Sequence, residues 1–501
     1  MKNHSDELIF HSQGLRRSAA NLAGSHRRIY DSPRASQRKR FDKEEKMSGF
    51  LGGAYFVINH IIDMGASVML PIIIALLSII IGIKPGKAVR SGLMIGVGFV
   101  GMGLIVDMMN ANMGPAAQAM ADRLGVSLSI VEVGWPGMSG VTWGSIVATI
   151  AIPLSIAVNL LMFALKLTKV INIDIWNVWH MAFTGAIAYA VTGNLWIGLL
   201  GVVIHAAISF KLGDLWAPLL ADYFELEGLT APHGTSAYMA PVACLIDWII
   251  EKIPGVKKIN FSVDGLQQKI GVLGEPVVIG FILGSIIGFL AGYGPQTALP
   301  LGVKMSAVMV LMPKIIKCIM DGLLPISERA KELMHSRFGE DADFFIGLDP
   351  AILLGDPEVV TAGILFIPIT LIIAILIPGN RILPFGDLAT IGFFIAIAVA
   401  VHKGNLFRTL ISGSCIMAMT IWITNHTVAW TTKLGVDVGA VAAGDTLAAM
   451  DQGGCPITYI FVQLFTRENI LGLIVIGAIY AACMVFAVKH SRQRALENAA
   501  E

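Results

Sequence analysis

The sequence predicts an all-α polytopic membrane protein. Two features of composition and one of pattern carry this. Of 501 residues, 55% are hydrophobic and only 14% are charged. Apolar runs of bilayer length recur from Ser67 onward. A soluble domain carries roughly 45–50% apolar and about 25% charged residues, so the excess apolar surface needs lipid as its solvent. Soluble globular enzymes and disordered chains are excluded. A formal charge of +1 gives no sign of a nucleic-acid partner. Fifty-three Gly and 21 Pro fit helices that break or re-enter beside a cavity, where neighbours satisfy the freed backbone groups.

In chain order, residues 1–46 come first, with 11 Lys and Arg against 6 Asp and Glu, and no apolar core of a signal peptide. They read as a disordered basic extension. Lys43-Glu44-Glu45-Lys46 has purine-only codons ahead of Met47, as a ribosome-binding site would, so the expected translation start is Met47. A spanning helix needs about 20 mainly apolar residues. Such runs lie at 67–83, 92–109, 145–165, 195–210, 275–291, 359–378, 388–402, 407–424 and 470–487. Shorter or interrupted runs lie at 178–192, 237–250, 299–312 and 446–465. Together they predict about ten or eleven spans with broken or re-entrant segments. Lys489, His490, Arg492 and Arg494 place the tail over 493–501 in the cytoplasm. A weak repeat relates Gly86-Lys87-Ala88-Val89-Arg90 to Gly404-Asn405-Leu406-Phe407-Arg408, 318 residues later. At the same spacing Gly134 meets Gln452-Gly453-Gly454. Matched broken segments in two halves mark a transporter's midplane site; chance in a Gly-rich chain would produce the same match.

An ionisable residue inside an apolar run is expensive unless it faces a cavity or a partner. Four clusters qualify. Val133-Gly134-Trp135-Pro136-Gly137 offers freed backbone groups and a stacking wall in Trp135, or else a plain loop with an interfacial Trp. In Trp176-Asn177-Val178-Trp179-His180-Met181-Ala182-Phe183-Thr184, His180 and Thr184 share a helical face, and their mixed donors and acceptors suit sugar hydroxyls. Glu225 to Ser236 is mostly polar, Gly or Pro, reads as re-entrant, and exposes His233 beside the bare backbone of Gly234. Glu225 and Glu227 either accept hydrogen bonds from hydroxyls or are solvated loop charges. Asp349 precedes Pro350, which suits a helix cap or a carboxylate that binds a substrate hydroxyl.

Catalytic templates are missing: there is no GxSxG, HExxH or Walker motif. The GxGxxG at Gly96, Gly98 and Gly101 lies inside an apolar run, where close helix packing explains it. Five cysteines form no CxxC pair and read as inert thiols, with no metal site and no cofactor. Binding and translocation fit better than chemistry within this chain.

Gly98-Phe99-Val100-Gly101-Met102-Gly103-Leu104, Val133-Gly134-Trp135-Pro136-Gly137, Asp174-Ile175-Trp176-Asn177-Val178-Trp179-His180-Met181, Pro232-His233-Gly234-Thr235-Ser236-Ala237-Tyr238, Ile346-Gly347-Leu348-Asp349-Pro350-Ala351 and Met450-Asp451-Gln452-Gly453-Gly454 resemble the galactitol-type enzyme IIC family. These are membrane subunits of the bacterial phosphoenolpyruvate-dependent sugar phosphotransferase system. The resemblance covers about 47–492, and the extension before it departs from the family pattern. The family is distantly similar to ascorbate-type IIC proteins. That likeness implies a homodimer, a core domain moving against a scaffold, and ligand positions at Gly134, Trp135, His180, Thr184, His233, Gly234 and Asp349. It implies a permease of the inner membrane that is not an enzyme by itself. An open-chain polyol, galactitol or a similar one, is bound and carried inward, and the phosphocysteine of a separate IIB chain, charged through IIA, phosphorylates it. An ion-coupled secondary transporter, or a membrane-embedded acyl- or glycosyltransferase, would use the same His and Asp residues differently.

Overall fold

A computed structural model describes residues 66–123, 128–263, 275–338, 344–384, 386–442 and 444–498. The basic extension and the proposed start at Met47 lie outside them. The described residues are mainly helical, with strand segments of only two or three residues among them. The first half runs α1 (Ala66–Ile80), α2 (Pro85–Arg123), β1 (Ile130–Val131), α3 (Gly134–Trp143), α4 (Ile146–Ala164), β2 (Val170–Asn172), α5 (Ile175–Thr192), α6 (Leu195–Phe224), β3 (Leu229–Thr230) and α7 (Ser236–Glu251). The second runs α8 (Pro276–Leu290), α9 (Pro295–Phe338), β4 (Phe345–Gly347), a 3-10 turn Pro350–Gly355, α10 (Pro357–Leu376), β5 (Ile382–Leu383), a 3-10 turn Leu388–Thr390, α11 (Ile391–Val401), α12 (Leu406–Asp437) and α13 (Pro456–Thr466). Helix α14 (Ile470–Asn498) closes the chain.

Polar side chains start many of these helices. Ser145, Asp174, Asn194, Asp356 and Asn405 each accept a backbone N–H from the first turn of α4, α5, α6, α10 and α12, a device worth about 1 kcal/mol apiece. Five described helices are long and apolar enough to cross a membrane alone: 146–164, 195–224, 357–376, 406–437 and 470–493. Helices α11 and α13, at 11 residues each, fall short of the roughly 20 that a bilayer needs. The interrupted run at 446–465 is helical only from Pro456. Its first part is an irregular approach to the site that ends in a turn over 451–454.

The halves do repeat, but at a different spacing from the one the Gly motifs suggest. Strand β1 pairs in parallel with β5, and β2 with β4. Setting Ile130 against Phe345 and Val170 against Ile382 relates the halves by about 213 residues. Each half opens with a short helix, a glycine at positive φ (Gly82, Gly292), and a long helix begun by proline. The long helices reach across with single side chains: Arg123 of α2 donates to Phe289 and Leu290 carbonyls of α8 at 3.2 and 3.3 Å, while Arg329 of α9 donates to the Ile81 carbonyl at 3.0 Å. The spacing of 318 instead joins segments that touch, since the Met450 N–H donates to Glu132 Oε1.

Helices α1, α2, α8 and α9 pack chiefly on one another, and α7 is the hub of α11, α12 and α14. Between α8 and α9 the backbones meet almost directly: a Cβ on Gly284 would lie 2.9 Å from Gly302 Cα. Close approach of this kind is how helices associate when lipid removes the hydrophobic drive. The outer faces are apolar, as at Leu160, Trp196, Leu471 and Ile474, which suits lipid as the surrounding solvent.

Near the start of α3 two backbones cross closely, Gly134 against Gly386. Gly134 has φ +70°, and a Cβ there would sit 2.6 Å from the Gly386 carbonyl carbon. A Cβ on Gly386 would run into the Val133 carbonyl. Gly386→Ala is therefore expected to destabilise by about 1–3 kcal/mol. Gly140→Ala, in α3 with open space around it, should be neutral or gain up to about 1 kcal/mol. Thermal unfolding of both variants in detergent checks the contrast; equal midpoints would contradict it.

Candidate functional site

The ends of interrupted helices converge on a pocket lined by aromatic and polar side chains. The start of α3 contributes Trp135, α5 contributes Trp176, Trp179 and His180, and the approach to α7 contributes His233. Asp349 comes from the second half, with Thr390, Phe393 and Phe394 around the start of α11, and Asp451 ahead of α13. Trp135 meets Trp176 edge to face at 5.1 Å, and Trp176 meets Trp179 at 6.3 Å, forming an aromatic wall.

Beside that wall are two histidine–carboxylate pairs, with the Trp179 and His180 rings 4.6 Å apart. His233 Nδ1 accepts the N–H groups of Thr235 and Ser236 at 3.3 and 3.4 Å, so this ring caps the start of α7. His180 Nδ1 accepts the Gly234 N–H at 3.4 Å. With each Nδ1 accepting, each Nε2 carries the ring proton. His233 Nε2 lies 3.7 Å from Asp349 Oδ2, and His180 Nε2 lies 3.5 Å from Asp451 Oδ2 without hydrogen-bond alignment. The two rings meet edge to face at 4.0 Å. His180 Nε2 and Trp179 Nε1 are buried with no hydrogen-bond partner in the protein, the condition of donors that a guest would satisfy.

Further carboxylates hold the backbone behind the pocket. Asp349 Oδ1 caps the 3-10 turn through the Ala351 N–H at 2.8 Å, leaving Oδ2 for the pocket. Asp174, the cap of α5, accepts the Asp349 N–H at 3.2 Å. Asp387 accepts the Trp135 and Asp451 N–H groups at 2.8 and 2.7 Å. Glu132 accepts those of Gly134, Met450 and Asp387 at 2.5, 3.2 and 3.0 Å.

Of the residues singled out in the sequence, Trp135, His180, His233 and Asp349 line the pocket. The cap and pocket readings of Asp349 are both realised, one per oxygen. Gly134 serves as a support: its N–H and that of Trp135 are taken by Glu132 and Asp387, so the freed backbone expected there is not on offer. Gly234 lets His180 approach, since a Cβ would sit 2.7 Å from the His180 Cβ and from Gln452 Nε2. Thr184 is turned away. Its hydroxyl lies between His205 Nδ1 at 2.8 Å and Thr458 Oγ1 at 2.7 Å. Glu225 and Glu227 are exposed loop charges. The polar lining residues Thr390 and Asp451 lie outside the four sequence clusters, and Asp451 was within reach of the same reasoning. The clue was an Asp inside the apolar run 446–465, the same signal that marked Asp349.

A helical bundle of two repeated halves, spanning a membrane and closing on a polar and aromatic pocket, defines a membrane permease. This chain belongs to the sugar-specific permease components of the phosphotransferase system, a family matched over residues 60–446. It is 53% identical over 436 residues to the galactitol-specific EIIC component of that system from Escherichia coli K12, covering 87% of this chain and 96% of the relative. The O157:H7 strain's galactitol-specific EIIC component matches to the same extent.

Thr184→Val tests which side of α5 faces the substrate. It strands His205 and Thr458 and should cost about 1–3 kcal/mol of stability, with sugar affinity unchanged in the folded protein. A weakened affinity at unchanged thermal midpoint would return Thr184 to the pocket.

Proposed function

We propose that this chain is the translocating IIC subunit for galactitol, with Trp135, His180, His233, Asp349 and Asp451 as its binding residues. Gly134, Gly234 and Thr184 act behind them. The observation that carries this reading is the doubled histidine–carboxylate arrangement. Each pair sets an Nε2–H donor next to a carboxylate acceptor, the complement of a hydroxyl, which both donates and accepts. An open-chain polyol has such hydroxyls along its length and C–H faces that pack on Trp135 and Trp176. The names of the relatives support the choice of galactitol.

In this reading the protein sits in the inner membrane as a homodimer, with its basic C-terminal tail on the cytoplasmic side. The unit holding the pocket moves against α1, α2, α8 and α9, carrying the polyol inward. A separate IIB chain, charged through IIA, then transfers its phosphoryl group to the bound hydroxyl. The work of this chain is to bind, orient and release.

Two measurements test this. Vesicles carrying the chain alone should bind radiolabelled galactitol and form no galactitol phosphate until phosphorylated IIB is added; product without IIB would overturn group translocation. Asp349→Asn keeps the helix cap, because Asn caps about as well as Asp. It removes a charged acceptor whose bonds are worth about 1.5–3 kcal/mol. Affinity should fall roughly 10- to 150-fold with the fold intact, and wild-type affinity would remove Asp349 from the site.

A further inference from the structure

Asp387 is fully buried and is not among the residues lining the pocket, yet three walls of the pocket depend on it. One carboxylate oxygen accepts from the Trp135 N–H and the other from the Asp451 N–H, at 2.8 and 2.7 Å. Its own carbonyl accepts the Thr390 hydroxyl at 3.1 Å, and its N–H is fixed by Glu132 Oε2 at 3.0 Å. Trp135, Thr390 and Asp451 come from three distant parts of the chain, and all three line the pocket.

The comparison with the other half sharpens the point. Asp174 stands where Asp387 stands, about 213 residues earlier by the strand register. Asp174 uses one oxygen locally, on the Trp176 N–H of its own helix, and reaches across with the other to the Asp349 N–H. Asp387 commits both oxygens to distant partners. An amide cannot replace it, because Asn offers a single acceptor oxygen and would turn a donor toward one of the two N–H groups.

We infer that Asp387 is a positioning residue for substrate recognition: its two oxygens set the distance between the Trp135 wall and the Asp451 acceptor, and so the fit of the polyol between them. This rests on the pocket being the polyol site.

The test is a double-mutant cycle on the full-length chain in nanodiscs, read by equilibrium binding of radiolabelled galactitol, with thermal midpoints measured in parallel. Asp387→Asn and Asp451→Asn should each weaken binding about tenfold or more. The double variant should lose far less than the product of the two, because an absent acceptor no longer needs placing. Asp387→Glu, which keeps both acceptors on an arm one methylene longer, is run in the same cycle. It is expected to weaken binding with the same shortfall, and it carries the test if Asp387→Asn does not fold. Multiplicative losses would overturn the inference. So would lowered thermal midpoints with wild-type affinity in the folded Asp387 variants, the pattern of a purely structural role. Wild-type affinity in Asp451→Asn would instead fail the reading of the pocket itself, and the inference with it.

Discussion

In lipid, a helix cannot be interrupted unless something inside the protein accepts the hydrogen bonds that the interruption frees. This chain interrupts its helices repeatedly around one point, and the acceptors there are carboxylates. Glu132, Asp174 and Asp387, all buried, take the N–H groups of Gly134, Met450, Asp349, Trp135 and Asp451. Without those acceptors the loops that carry the pocket would leave amides bare in a dry interior, at a cost of about 1–3 kcal/mol each. The pocket is thus the surface of a buried hydrogen-bond frame, and its side chains are placed by groups that do not line it.

The frame also joins the two halves across the pocket. Parallel pairing of β1 with β5 and β2 with β4 exchanges one strand each way. Arg123 and Arg329 repeat the exchange at the helix ends, and Asp174 and Asp387 repeat it beside the pocket. Neither half therefore contains a complete site. His180 and His233 come from the first half, and their carboxylate partners Asp451 and Asp349 from the second.

The membrane class and most helices were legible because apolar run length is a local property. That His180, His233 and Asp349 line one pocket was legible because an ionisable residue inside such a run is rare for a physical reason. What failed was anything that depends on which side of an element faces inward. His180 and Thr184 do lie on one helix, four residues apart, but the spacing cannot say that Thr184 meets His205 and Thr458 instead of the pocket. The repeat was misregistered for a similar reason. Glycine motifs mark close approach between segments, so Gly134 and Gly453 drew attention as equivalents when their neighbourhoods are in fact in contact. The roles of Glu132 and Asp387 are long-range pairings, invisible in either local stretch.

The pocket's charge has a directional consequence. Its described lining residues include two carboxylates and no Lys or Arg. A neutral guest meets only donors and acceptors there. On the proposed function, a guest that acquired a phosphoryl group in place would set its new oxygens against the acidic side chains Asp349 and Asp451, acceptors facing acceptors with no cation among the described lining residues. That mismatch would speed departure and hinder return, so on the proposed function the site would act as a rectifier.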